Sequence, residues 1–142
     1  MREMIREKLG EPREFQGNQA TAWGEHNEEG ALLEYRMETL YEVTEVGFVE
    51  HEDWAGVSPD GLVEGKGLVE IKAPYSLKDA DAPVPFKGID AYPHYFDQIQ
   101  FQLFVTGREW CHWFQWAPKG IYLRTIHPDP DWVADNIPRL RK

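Results

Sequence analysis

Only one of the 142 residues is a cysteine, Cys111, so an intramolecular disulfide and a cysteine-built zinc or iron–sulfur cage are both excluded. That scarcity fits a reducing, cytoplasmic compartment, and Cys111 reads as a packed strand residue. Long apolar runs are also missing, and the opening MREMIREKLG alternates charges where a secretory signal would have an apolar stretch. Neither membrane insertion nor export is expected. There is no internal repeat, low-complexity tract or Gly/Ser linker. The chain therefore reads as one domain over 1–142, with an N-terminal segment 1–20, a core 21–126 and a C-terminal segment 127–142.

Positive charge is in deficit too, with a formal net charge of −10. This balance argues against broad nonspecific affinity for nucleic acid, which comes from phosphate neutralisation by Lys and Arg. The distribution is more informative than the total. Residues 1–20 carry four acids and four bases, residues 61–142 carry ten of each, and residues 21–60 carry eleven acids against Arg36 alone. An acidic stretch of this kind is either a solvated face or a set of carboxylates that holds cations and inverts the local field.

Apolar and aromatic residues are plentiful: 42% hydrophobic, with six Trp, six Tyr and seven Phe, enough for a folded core. Thr21 is a plausible N-cap for a helix over 21–40, whose stripe is Trp23, Ala31, Leu32, Tyr35 and Leu40. A strand is expected over 41–49. Residues 55–73 read as a hairpin turning at Glu64-Gly65-Lys66-Gly67. The segment 79–93, with Pro83, Pro85, Gly88 and Pro93, reads as a loop. A second helix over 95–106 should close on Gly107, followed by strands over 110–116 and 121–126 and a short helix after Pro130. This order predicts an α/β (α+β) fold with a central mixed sheet flanked by helices.

The chemistry concentrates on the hairpin. Alternation along a strand puts Glu70 and Lys72 on one face and Ile71 on the other, and the hairpin brings Asp60 alongside them. Two close carboxylates repel unless a cation lies between them, and an oxygen-rich donor set favours Mg²⁺ or Mn²⁺ over zinc. A lysine beside them can orient or deprotonate water and stabilise charge on a phosphate, the demands of phosphodiester hydrolysis with two divalent ions. Taken singly, a turn aspartate and a Glu–Lys pair on a strand are ordinary surface features. Together across one hairpin, with Leu68, Val69 and Ile71 interleaved, they are not. Lys78, shortly after this strand, is placed to touch a DNA phosphate. His94 and His112 read as ordinary polar residues, and Gln102 as a helix-surface residue outside the site.

The run SPDGLVEGKGLVEIKAP resembles the signature of the PD-(D/E)xK nucleases, whose core is restriction-endonuclease-like. Together with TAWGEHNEEGALLEY and YFDQIQFQLFVTGREWCHWFQWAP, it makes the chain resemble the phage lambda exonuclease-like (YqaJ viral recombinase) family. The resemblance implies that Glu28 is a further acidic ligand and that Asp60, Glu70 and the Ile71 carbonyl complete the metal coordination. It also implies that Lys72 is the catalytic lysine and that Gln98, with Tyr95 one turn earlier, borders the scissile phosphate. Glu25 and Glu29 are left as solvated helix residues. The family's N-terminal Ser/Arg segment for the terminal 5′ phosphate is not reproduced by Arg2, Arg6 and Arg13. Its longer C-terminal helix exceeds what 127–142 supplies, so the chain reads as a compact or a trimmed member.

The implied function is metal-dependent exonuclease action on duplex DNA with a free end, 5′ to 3′, releasing 5′ mononucleotides for phage-type recombination. A homotrimer, a single-strand annealing protein as partner and the host cytoplasm, if phage-encoded, belong to the same expectation. The alternatives are a repair or restriction-type endonuclease of the same fold, marked by cutting of closed circles, and a non-catalytic DNA-binding or assembly module. The intact Asp60, Glu70, Lys72 and Gln98 set argues against the module, which has no physical need for a lysine beside clustered carboxylates.

Overall fold

The computed structural model describes residues 18–52 and 54–141. Its elements in chain order are α1 (Asn18–Thr39), β1 (Val43–Thr44), β2 (Val49–His51), β3 (Ala55–Val57), β4 (Gly61–Val63), β5 (Gly67–Lys72), α2 (Pro93–Thr106), β6 (Trp110–Ala117), β7 (Gly120–Ile126) and α3 (Pro130–Leu140). Five strands form a mixed sheet in the order β1-β4-β5-β6-β7, and β2 pairs with β3 in a separate two-stranded sheet. β5 and β6 run parallel, so the chain must cross over between them, and α2 lies in that crossover. Helices on both sides of this sheet make the architecture the α/β, restriction-endonuclease-like one expected.

The two faces of the sheet separate by strand alternation. Val69 of β5 and Phe114 of β6 pack with Ala31, Leu32 and Tyr35 of α1. Leu68, Cys111 and Trp113 pack on the other face with Ile99 and Leu103 of α2. Cys111 is indeed buried. A third cluster joins Ala55 and Val57 of β3 to Phe101 and Val105 of α2 and to Trp132 and Ile137 of α3. The Asp129 side chain caps α3 by accepting from the backbone N–H groups of Asp131 and Trp132.

Three expectations change. α1 already runs at Asn18, where the described residues begin, so Thr21 lies inside the helix and is not its cap. Leu40 is not on the apolar stripe: the helix ends at Thr39, and Leu40 adopts a left-handed backbone with its side chain exposed. The single strand expected over 41–49 is two short strands in different sheets, and the first arm of the hairpin divides at Ser58-Pro59-Asp60 into β3 and β4. Proline supplies no N–H for a ladder, which suits a break between strands. The remaining hairpin, β4 to β5, turns at Gly65 with φ 77°, a conformation glycine adopts without steric cost. Gly107, with φ 69°, ends α2, its N–H bonding the Leu103 carbonyl.

At Gly67 the Trp110 ring lies where a β-carbon would project. The G67A variant is therefore expected to lose about 1–3 kcal/mol by overpacking, read as a fall in the urea midpoint with the slope unchanged. An unaltered midpoint would mean that the ring yields freely.

Candidate active site

The hairpin register pairs Gly61 with Val69, so the position before Gly61 faces the position after Val69, which sets Asp60 against Glu70. Asp60 is held there by its own backbone surroundings: its Oδ2 accepts the Ile71 N–H at 2.6 Å. Glu70 points toward α2, where its Oε2 accepts from Gln98 Nε2 at 3.0 Å and from Gln102 Nε2 at 3.2 Å. Two residues on, the Lys72 ammonium lies 4.9 Å from the Tyr92 ring centroid and 4.8 Å from that of Tyr95. Glu28 reaches this group from α1, close enough to hydrogen-bond Asp60. An open cleft of about 500 Å³ at this end of the sheet is lined by Thr21, Gly24, Glu28, Lys72, Tyr75 and Tyr95.

The electrostatics follow from crowding like charges away from water. Burial, then the neighbouring Glu70, and then Glu28 raise Asp60 well above the usual carboxylate range, against the opposing effect of the Ile71 N–H. Burial pushes Glu70 up to about 7, while the hydrogen bond from Gln102 pulls the other way. Burial lowers Lys72, and burial with the nearby Glu70 raises the Tyr95 hydroxyl. Carboxyls that hold protons this firmly are those that a cation would replace a proton on.

The donor set fits a hard divalent cation. Glu70 Oε1 is buried and, among the described residues, without a hydrogen-bond partner, an oxygen left over for a ligand. The other oxygens belong to Asp60 and Glu28, while His112 is turned to Tyr35, whose hydroxyl lies 2.6 Å from its Nδ1. Among the described residues no three such side chains are gathered into a preformed cage. Of the three acids Glu28, exposed on α1, is the least confined.

Thus Glu28, Asp60, Glu70, Lys72, Tyr95 and Gln98 converge as the sequence suggested, and Ile71 contributes its N–H to Asp60. Lys78 is held by Asp79 at 2.6 Å, with its ammonium 5.3 Å from the Tyr75 ring centroid, not free. Glu25, Glu29 and His94 are exposed, and His112 is the ordinary polar residue expected. Two residues escaped the sequence reading. Gln102 is not on the helix surface but 3% exposed and bonded to Glu70. Its spacing of four from Gln98 was the available signal, because such residues share a helix face. Tyr92, which covers Lys72, lies at the end of a loop and carried no periodic signal.

An acidic pair and a lysine on adjacent arms of a hairpin, in a five-stranded mixed sheet with helices on both faces, define a PD-(D/E)xK-type core. The YqaJ-like viral recombinase domain matches residues 1–109, and the chain belongs to that family. It is similar to the alkaline exonuclease LHK-Exo of Laribacter hongkongensis, with 32% identity and a TM-score of 0.74, covering 87% of this chain and 66% of that one. The same protein in complex with dAMP superposes with a TM-score of 0.73 at 32% identity, covering 85% of this chain and 64% of that one. A phage-related exonuclease from Haemophilus somnus 129PT shares the fold at 15% identity, with a TM-score of 0.71 over 99% of this chain and 75% of that one. Uncharacterized protein R354 of Acanthamoeba polyphaga mimivirus is 29% identical over 126 residues, 79% of this chain. The chain spans 23% of that mimivirus protein and just under two thirds of LHK-Exo.

Proposed function

We propose that the chain is a divalent-metal-dependent deoxyribonuclease, and more narrowly an exonuclease that degrades duplex DNA from a 5′ end, releasing 5′ mononucleotides for phage-type recombination. The observation that carries this reading is the meeting of Asp60 and Glu70 across the β4–β5 hairpin, with Lys72 beside them and a partnerless carboxylate oxygen between sheet and helix. Membership in a viral recombinase family and likeness to an alkaline exonuclease support the activity. The dAMP complex of LHK-Exo supports a mononucleotide product.

Glu28, Asp60, Glu70 and the Ile71 carbonyl would hold Mg²⁺ or Mn²⁺, two ions in this reading. Bound there, the cations would acidify water and stabilise negative charge on the scissile phosphate. Lys72 handles the proton. Burial loosens its hold on that proton, so in its neutral form it takes the proton that the attacking water gives up, and the Tyr92 and Tyr95 rings confine the ammonium that results. Gln98 and Tyr95 border the phosphate, and Lys78 reaches a flanking phosphate by leaving Asp79. A homotrimeric ring around DNA, an annealing protein as partner and action in the host cytoplasm complete the proposal. A ring would let a low-charge channel act on DNA despite an acidic exterior.

Linear duplex DNA labelled separately at its 5′ and 3′ ends, incubated with Mg²⁺ or EDTA beside a closed circle, tests it. The expected result is Mg²⁺-dependent release of the 5′ label as mononucleotide with the circle intact. Loss of the 3′ label first would reverse the polarity, a nicked circle would make the protein an endonuclease, and no cleavage with Mg²⁺ or Mn²⁺ would overturn the enzyme reading.

A further inference from the structure

α2 carries three glutamines at alternate positions, and helical phase gives them two different jobs. Gln98 and Gln102, one turn apart, both face β5 and donate to a single atom, Glu70 Oε2, at 3.0 and 3.2 Å. Gln100 lies on the opposite side, 1% exposed, with its Nε2 donating to the His127 carbonyl and its Oε1 accepting the Asp129 N–H. Gln100 ties α2 to the segment before α3. Gln102, 3% exposed, instead addresses a carboxylate that is itself 6% exposed. The remaining oxygens of both partners, Gln102 Oε1 and Glu70 Oε1, are buried and have no hydrogen bond among the described residues.

The geometry points to Gln102 as a positioning residue: together with Gln98 it anchors one oxygen of Glu70 to α2 and so presents the other, Oε1, to a divalent cation. This rests on the metal-site reading above and adds a residue to it. One donor would leave the carboxylate free to pivot about a single hydrogen bond, whereas two donors from successive turns define its plane. The donor must also be neutral. A lysine or arginine here would cancel the charge of Glu70 and compete with the cation, while an amide leaves the carboxylate anionic and occupies only one oxygen. An apolar residue would leave Glu70 with Gln98 alone.

The test is calorimetric titration of Mn²⁺ into the full chain without DNA, for the wild type, Q102M and Q100M, with thermal melts of each and the Mg²⁺ dependence of digestion alongside. Removing a partner of a metal ligand of this kind weakens binding by about 10–100-fold, and that is the expected loss in Q102M. Its melting temperature should stay within a few degrees of the wild type, and its digestion should recover as Mg²⁺ is raised. Q100M should show the reverse, a lower melting temperature with unchanged Mn²⁺ affinity. Q102N, whose amide is one methylene short of Glu70, should behave as Q102M and serves as the test if Q102M does not fold. Wild-type Mn²⁺ affinity in the Gln102 variants, or an equal loss in Q100M, would overturn the positioning role while leaving the metal site standing. Absence of Mn²⁺ binding by the wild type would overturn both.

Discussion

The K72M variant is expected to lose DNA hydrolysis by about 10²–10⁴-fold, the range associated with a proton-transferring side chain, while keeping or slightly raising its melting temperature. The two halves of this expectation have one cause. Lys72 lies on a strand whose face turns inward to α2, over the rings of Tyr92 and Tyr95, and burial lowers it from its ordinary value of 10.5. A group held more weakly protonated in the fold than in the unfolded chain costs stability while it is charged, and that cost is relieved only as pH rises toward its unfolded value. Methionine fills similar space without the charge, so the fold should tolerate it. Single-turnover digestion of end-labelled duplex, read beside a thermal melt, separates the two effects. Activity within about tenfold of the wild type would remove Lys72 from the chemistry, and a large fall in melting temperature would recast it as structural.

The second large effect is on stability against pH in the absence of metal. Asp60 and Glu70 are both raised in the fold, Glu70 to about 7 from 4.5. The folded state therefore binds more protons than the unfolded chain between these values, so stability is greatest at low pH in this window and falls as pH rises from about 4.5 through about 7. Melting temperatures in EDTA should decline by several degrees across it, at about 4 °C per kcal/mol for a chain of this size. Adding Mg²⁺ at pH 8 should restore them, because a ligand that binds only the folded state adds stability by mass action. E70Q should flatten the pH dependence, raise the metal-free melting temperature at pH 8, lose the response to Mg²⁺ and lose turnover. A wild type whose melting temperature in EDTA rises from pH 5 to pH 8 would contradict the electrostatics derived for this pair.

Much of this site was legible because it is local. Asp60 and Glu70 are joined by one hairpin, and the period of two along β5 puts Glu70 and Lys72 on a common face whatever the rest of the chain does. Gln98 and Tyr95 were reached through a motif, not through physics. Glu28 could not be distinguished from Glu25 and Glu29 by periodicity, since only the packing of α1 on the sheet decides which of the three approaches Asp60. Gln102 was misplaced for a related reason. A glutamine is polar enough to belong on a surface, and its burial follows from the proximity of Glu70, 32 positions earlier, which gives its amide a partner. The short strands also misled: the pattern over 41–49 is continuous in composition, but β1 pairs with β4 and β2 with β3, and such pairing is a long-range choice.

By itself, then, the sequence determined the three helices, the strands β5, β6 and β7, the hairpin with its acid–acid–lysine set, the exclusion of cysteine chemistry and the confinement of excess negative charge to 21–60. These follow from residue type, backbone period and turn residues, which act over a few positions. Only the tertiary structure decided that β5 and β6 run parallel around α2, that Lys72 is covered by two tyrosines, and that two glutamines share one oxygen of Glu70. Each of these depends on elements far apart in the chain packing against one another, and burial there raises the proton affinity of Asp60 and Glu70 and lowers that of Lys72.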